Sequence, residues 1–501
     1  MRTVCGIDLG TQSCKVLIYD YEKKSVLARA QAPVAMIAEN DGTREQEAAW
    51  YPAALKTCFS EIEKNNPGLN ARIAAVGVSG HQHSFVPLDE EGKPLYRVKL
   101  WCDTSTAPEC DELTALAGGE AALIAETGLP MRPGYTAPKV RWLKNHKPDL
   151  FARLRHILLP HDYINFLLTG AYTAEYGDAS GTALFNVRTR RWSSRVCDLI
   201  DPAIQGYLPQ LLEPGEAAGT VSEAASRTFG LPQGAVVAAG GGDNMMGAIG
   251  TGAVTDGFLT MSLGTSGTLF GFSQVPMIDP TGNLAAFCAS TGGWLPLLCT
   301  MNCTVASEEF RGLFGLDVKS FDAQAARAAI GAGGLVVLPF FNGERTPNLP
   351  NGRASVNGIT AANFNRENIA RASLESAIFG MRIGLEGFSR LGFKAKEIRL
   401  IGGGAKSPLW QSIAANVMNL PVRVPAGDEA AAMGGAIQAL WTWEQRENAP
   451  GRNGSIPSLV EEHVILEGGA TVRPDAASVA AYNRAYEVYS RYLGALSPLY
   501  T

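Results

Sequence analysis

Two short hairpins, one at the start of the chain and one near its middle, constrain this sequence more than any other feature. Leu9-Gly10-Thr11 separates a β-rich run at 4–9 from another at 15–20, and Leu263-Gly264-Thr265-Ser266-Gly267 separates 258–263 from 268–272. Each half also carries a later strand that ends in small residues: Gly77-Val78-Ser79-Gly80 in the first, Ile401-Gly402-Gly403-Gly404 in the second. Self-similarity of this kind points to a duplicated domain, and at 501 residues the chain is too long for one core. Runs at 73–78, 235–239, 334–338 and 398–401 read as further strands, and 45–64, 367–391, 408–418 and 429–447 as helices, which makes the layers α/β. Leu374, Ile378, Met381, Leu385 and Phe388 form one apolar stripe at helical spacing, suited to packing on a sheet. The three glycines at 240–242 mark the expected boundary.

Composition narrows the functional classes. A net charge of −5 argues against a general nucleic-acid or membrane-surface binder. Nine cysteines, an odd number without a regular framework, suit reduced thiols in a cytosolic compartment. The N-terminus runs straight into the first strand without a basic and then apolar leader, and no apolar run approaches the roughly 18 residues of a membrane span. A cytoplasmic protein is expected.

Several segments could carry chemistry. The turn Gly10-Thr11-Gln12-Ser13 offers backbone N–H groups and hydroxyls to phosphate oxygens, with Lys15 close behind. Asp8, on the strand leading in, could hold Mg²⁺ through water; an ordinary polar hairpin is the alternative. Gly264-Thr265 repeats the turn without a carboxylate. Gly240-Gly241-Gly242-Asp243-Asn244 closes a strand and precedes a helix start. Asp243 is placed like an N-cap, where the helix end should keep its carboxylate ionised near neutral pH. The glycines before it exceed what capping needs and would let a substrate approach. His81-Gln82-His83-Ser84 lacks a third ligand for a metal, so a polyol-binding loop is the better reading, with exposed loop polarity as the alternative. Trp101-Cys102-Asp103 would give such a pocket an apolar wall and a carboxylate. Gly402-Gly403-Gly404 leaves room for a flat group, and Ser407-Pro408 begins a helix. Neither a Gly-x-x-x-x-Gly-Lys-Ser/Thr loop nor a Gly-x-Gly-x-x-Gly after the first strand is present.

At these residues the sequence resembles the FGGY carbohydrate kinases. Two family signatures are readable in full: Gly134-x-Thr136-x-x-Lys139-Val140-x-Trp142-Leu143-x-Asn145-His146, and a second running from Ala354 through Val356, Gly358-Ile359, Asn368-Ile369 and Ala372-Ser373-Leu374-Glu375. The resemblance covers roughly 4–443. It implies two duplicated actin-like, ribonuclease H-like ATPase domains with a central cleft. The first, at 1–241, would bind sugar and carry the first phosphate turn; the second, at 242–501, would bind nucleotide, with a last helix near 475–495 packing back on the first. Within the family the similarity is greatest to the xylulokinase branch, through 134–139, 158–163, 240–244, 261–267 and 343–347.

That resemblance implies transfer of the ATP γ-phosphoryl group to a ketopentose, D-xylulose being the expected acceptor. Asp243 would be the base and Asp8 the Mg²⁺-side carboxylate. Gln82, His83, Trp101, Asp103, Asp243 and Asn244 would hold the sugar. Thr11, Gln12, Ser13, Lys15, Gly264 and Thr265 would hold phosphates, and Gly403, Gly404 and Ser407 the adenosine. A homodimer is compatible with it. The branch usually shows Met where Gln82 stands, and Trp-Asn-Asp-x-Arg where Trp101-Cys102-Asp103-Thr104-Ser105 stands, which leaves ribulose, another ketose or a polyol as rival acceptors. An actin-like ATPase without a sugar, or an inactive sugar-binding regulator, are the rivals outside sugar-kinase chemistry.

Overall fold

β1 (Thr3–Leu9) and β2 (Ser13–Asp20) pair antiparallel through the Gly10 turn, with Asp8 opposite Lys15. In the computed structural model, which describes residues 2–427, 429–447, 454–466 and 471–500, β3 (Ser25–Pro33) extends this meander beyond β2. On the other side β4 (Ile73–Gly80) runs parallel to β1, and β5 (Val236–Ala238) parallel to β4. The alternation of a strand decides what each face meets. Cys5, Ile7 and Leu9 share a core with Tyr51, Leu55 and Phe59 of the helix Trp50–Asn65. Gly6 and Asp8 therefore look to the opposite face. There a methyl group at Gly6 would overlap the Ala432 carbonyl, and one at Gly77 the Gly435 carbonyl, so the helix Ala430–Glu447 lies with its backbone against the sheet.

A second sheet repeats the plan. β6 (Phe258–Leu263) pairs antiparallel with β7 (Gly267–Gly271), which pairs antiparallel with β8 (Trp294–Thr300). β9 (Glu397–Ile401) runs parallel to β6, and β10 (Val422–Arg423) parallel to β9. The order β3-β2-β1-β4-β5 with its strand directions thus recurs as β8-β7-β6-β9-β10. The duplication legible in the two hairpins is a duplication of topology. In the second unit the helix Arg366–Arg390 buries Leu374, Ile378, Met381 and Phe388, the expected stripe, while Leu385 stays partly exposed.

The chain does not divide at 241/242. One compact unit comprises Met1–Val254, Phe272–Leu295 and Glu429–Val464; the other comprises Thr255–Gly271, Pro296–Asp428 and Ile465–Thr501. Close backbone packing is the reason. The helix Asp243–Thr251 meets Ala430–Glu447 so tightly that a methyl group at Gly250 would overlap the Ala430 carbonyl, and one at Gly434 the Met246 carbonyl. The helix that returns to the first unit is therefore Ala430–Glu447. The last helix, Ala476–Leu496, belongs to the second unit, where Tyr482, Tyr486 and Tyr489 pack around Phe379. The helix expected at 45–64 begins only at Trp50, because Arg44–Gln46 forms a short strand whose Glu45 pairs Lys99. No described helix is long and apolar enough to cross a membrane.

Candidate active site

Within the first unit the sheet's C-terminal strand ends gather the carboxylates. Asp8 sits on β1, half-buried, with Ser79 of β4 donating to its Oδ1 at 3.0 Å. Removal from water pushes its pKa up to about 6, with Lys15 and Ser79 pulling the other way and Glu429 adding to the rise. Lys15 in turn pairs with Glu429 at 2.8 Å, at the threshold of the helix Ala430–Glu447. The strand pair Gly241–Gly242 adds to β4 beside Ser79 and Gly80, and both polar groups of Gly240 are bonded by the Gln438 amide at 2.9 Å. This brings Asp243 to the same place as Asp8.

Asp243 is the first residue of its helix rather than the cap; Gly242 occupies the cap position. Its Oδ1 accepts from the Asn244 backbone N–H at 2.8 Å and from the Asn244 amide at 3.0 Å. The carboxyl is not held ionised as the helix end alone predicts. Burial, then the negative charges of Asp8 and Asp178, push its pKa to about 7. The three preceding glycines are also explained by protein rather than by substrate. Side chains at Gly240, Gly241 and Gly242 would meet His161, Ser290 and Gln82 respectively.

Gln82 accepts from the Asn244 amide at 2.8 Å, which ties the loop after β4 to the helix of Asp243. His83 is buried with its ring edge-on to Tyr135 at 5.2 Å and tilted on Phe287 at 5.4 Å. His81 is no ligand. Its Nδ1 lies 2.8 Å from Ser84 Oγ, and burial pushes its pKa down to about 3. Trp101 donates from Nε1 to Thr11 Oγ1 at 2.9 Å, so the loop carrying Trp101 and the turn between β1 and β2 are joined. Gln12 is exposed and Ser13 half-buried at that turn. Asp103 departs from the expected role. Its oxygens accept from the Arg44 N–H, Lys99 Nζ, and both the N–H and hydroxyl of Ser105, so they brace the loop instead of facing a sugar.

Sequence reasoning missed a buried cluster behind these residues. His161 lies between Asp178 (2.8 Å at Nδ1) and Asp162 (2.9 Å at Nε2). Burial opposes its charge, but the two carboxylates raise its pKa well above the ordinary value. Glu175, bonded by the N–H groups of Gly177 and Asp178, is pushed up to about 7 by burial. The segment 158–163 was legible as a family feature, but its meeting with Asp178 is made only by the fold.

In the second unit, Gly264 and Thr265 form the turn between β6 and β7, braced by the Thr304 and Cys303 N–H groups on their carbonyls. Gly402 adopts φ +87° against the Leu263 backbone, and Gly404 packs on the Trp410 ring. A side chain at Gly403 would meet nothing within 4 Å. Of the three glycines, Gly403 alone faces open space. Ser407 caps the helix Pro408–Met418 by accepting from the Trp410 N–H at 3.2 Å.

Residues 3–250 match the N-terminal domain of the FGGY family of carbohydrate kinases, and 259–443 match its C-terminal domain. A xylulose kinase of Haemophilus influenzae is 42% identical over 501 residues, covering 99% of each chain. One of Bacillus subtilis is 31% identical, covering 98% of this chain and 96% of its own. Among solved structures, a xyloylose kinase from Brucella ovis superposes with a TM-score of 0.92 at 30% identity, over 99% of this chain and 100% of that one. The architecture is the two-domain actin-like ATPase fold of these sugar kinases.

Proposed function

Because the chain belongs to the FGGY family of carbohydrate kinases, we propose that it transfers the γ-phosphoryl group of ATP to the O5 hydroxyl of D-xylulose. The products would be ADP and D-xylulose 5-phosphate, and the cytoplasm is the compartment where both substrates are expected. The observation that carries the reading is the meeting of Asp243, Asn244 and Gln82 beside Asp8. Xylulose kinases 42%, 36% and 35% identical to this chain support the choice of ketose.

Asp243 takes the proton of the sugar hydroxyl as that oxygen bonds to the γ-phosphorus and the bond to the β–γ bridging oxygen breaks. A carboxyl with a pKa near 7 accepts that proton more readily than an ordinary one, yet is still ionised in a useful fraction at neutral pH. Asn244 and Gln82 orient the sugar, and His83 lines the pocket beside the Trp101 wall. The first turn (Thr11, Gln12, Ser13, with Lys15 nearby) and the second (Gly264, Thr265) bind phosphates; Gly403, Gly404 and Ser407 bind the adenosine. Asp103 acts one step back, by fixing the loop that carries Trp101. No group of three or more His, Cys, Asp or Glu among the described residues could hold a metal by itself. One half-buried carboxylate beside a phosphate turn instead fits Mg²⁺, which keeps several waters and takes its remaining ligands from phosphates. Asp8 would hold it, and the ion would neutralise charge on the transferring phosphoryl group.

The test is ADP formation by the purified enzyme with D-xylulose, D-ribulose, L-xylulose, a hexulose and a polyol. D-xylulose is expected to give the highest kcat/KM. A tenfold preference for another acceptor would overturn the ketose, and ADP release indifferent to every sugar would overturn the kinase site.

A further inference from the structure

His83 is one of six described non-glycine residues with positive φ, at +64°. A side chain in this left-handed region is disfavoured and persists only where its surroundings hold it there. The surroundings are specific. The His83 carbonyl accepts from Lys139 Nζ at 2.8 Å and from Thr136 Oγ1 at 3.0 Å. Lys139 also donates to the Gly134 carbonyl at 2.7 Å. Thr136 and Lys139 are three apart in the first turn of the helix Thr136–His146, so they present both donors on one face. The His83 ring is boxed by Tyr135, by Phe287 and by Gly181, where any side chain would overlap it.

Lys139 is fully buried, and among the described residues no carboxylate lies within 4 Å of its ammonium nitrogen, Asp103 acting on it from farther off. Burial pushes its pKa down to about 7 against the pull of the Asp103 carboxylate, and an apolar side chain would fill the space without that cost. Its donors go to two carbonyls, one of them on the strained residue. The other residues of the loop have anchors of their own: His81 is bonded to Ser84, Ser84 to the Trp101 N–H, and Gln82 to Asn244. Only at His83 is the backbone turned against its preference.

We propose that Lys139 and Thr136 are positioning residues for the sugar: by binding the His83 carbonyl they hold that residue in its left-handed conformation, and so fix its ring toward the acceptor. The proposal rests on the reading of His83 as a pocket residue. Both donors fall on fixed positions of the first family signature, Thr136-x-x-Lys139, whose spacing thereby acquires a structural reason.

Lys139→Met and Thr136→Val would be assayed with D-xylulose and ATP, each alone and combined with His83→Ala, with thermal unfolding recorded for every variant. Each single change should raise KM for D-xylulose about tenfold, the usual worth of one lost hydrogen bond to a charged or buried group, and leave KM for ATP within about twofold. On the His83→Ala background neither should add more than about twofold, because partners in one chain of action are not additive. Should Lys139→Met fail to fold, Thr136→Val carries the same test, since it removes one hydroxyl at nearly constant shape. Wild-type KM in the folded single variants, with His83→Ala impaired, would overturn the clamp alone. An undiminished effect on the His83→Ala background would show that the two residues act elsewhere, and would overturn it too. Wild-type KM for every ketose in His83→Ala would overturn the pocket reading, and the clamp with it.

Discussion

Asp243 shows how far a side chain's chemistry is set by neighbours remote in sequence. Its place at a helix start favours the anion, by local dipole and by the Asn244 N–H. Burial and the carboxylates of Asp8 and Asp178 act more strongly in the other direction. The consequence for stability has a definite sign. With a folded pKa of about 7 against 3.8 for the unfolded carboxyl, the folded chain keeps a proton that the unfolded chain has lost. This group therefore makes the fold less stable as pH rises from about 4 to about 7. Asp243→Asn removes that cost. In metal-free buffer the variant should melt above wild type at pH 8, by a few degrees at the scale of about 1 °C per kcal/mol for a chain of this length, and the gap should narrow toward pH 5. A gap that does not change with pH, or a variant less stable at pH 8, would contradict the assignment. The helix-end argument missed this because it considers only neighbours along the chain. The same blindness hid the His161–Asp178 contact and gave Asp103 to the sugar, when Lys99, Ser105 and the Arg44 N–H had already claimed its oxygens.

At the scale of elements, what was legible is what local chemistry dictates. Pro408–Met418 matches its expected bounds because Ser407 and Pro408 specify its start and Asn419, at φ +52°, ends it. The two hairpin turns were legible from Leu-Gly-Thr between apolar runs. The strand at Arg44–Gln46 was not, since a polar triplet becomes a strand only by pairing with Val98–Lys99. The packing of Asp243–Thr251 on Ala430–Glu447 was equally hidden: its cause is Gly250 facing a carbonyl far along the chain. That contact aims the helix carrying Asp243. Gly250→Val should force the two helices apart, with a loss of about 1–3 kcal/mol or more and a fall in kcat. Gly494→Ala is the control, because it is helical, exposed and has open space where a methyl would go. Alanine there should stabilise by about 0.5–1 kcal/mol. Chemical denaturation of both variants checks the pair; equal effects would mean that close approach is not what Gly250 provides.

Over the whole molecule, one five-strand plan is used twice and equipped differently. The hairpin of the first unit reads Asp8-Leu9-Gly10-Thr11; the corresponding run of the second reads Ser262-Leu263-Gly264-Thr265. The carboxylate is present in the first copy alone, and the first unit alone carries Asp243, Asn244 and the Gln82–His83 loop. The second keeps the turn and adds the open glycine at 403 and the Ser407 cap. The family assignment spans both copies, and the proposed division of labour follows from which copy has the carboxylates. The claim on which the account depends is that Asp243 removes the proton of the sugar hydroxyl during phosphoryl transfer. Its most direct test is single-turnover and steady-state ADP formation from D-xylulose and Mg·ATP by wild type and Asp243→Asn, with sugar and nucleotide binding measured on the same preparations. The account predicts a kcat lower by about 10²–10⁴-fold, the range for a positioned general base, with both dissociation constants near wild type. Turnover near the wild-type rate in a folded, ligand-binding Asp243→Asn enzyme would contradict it.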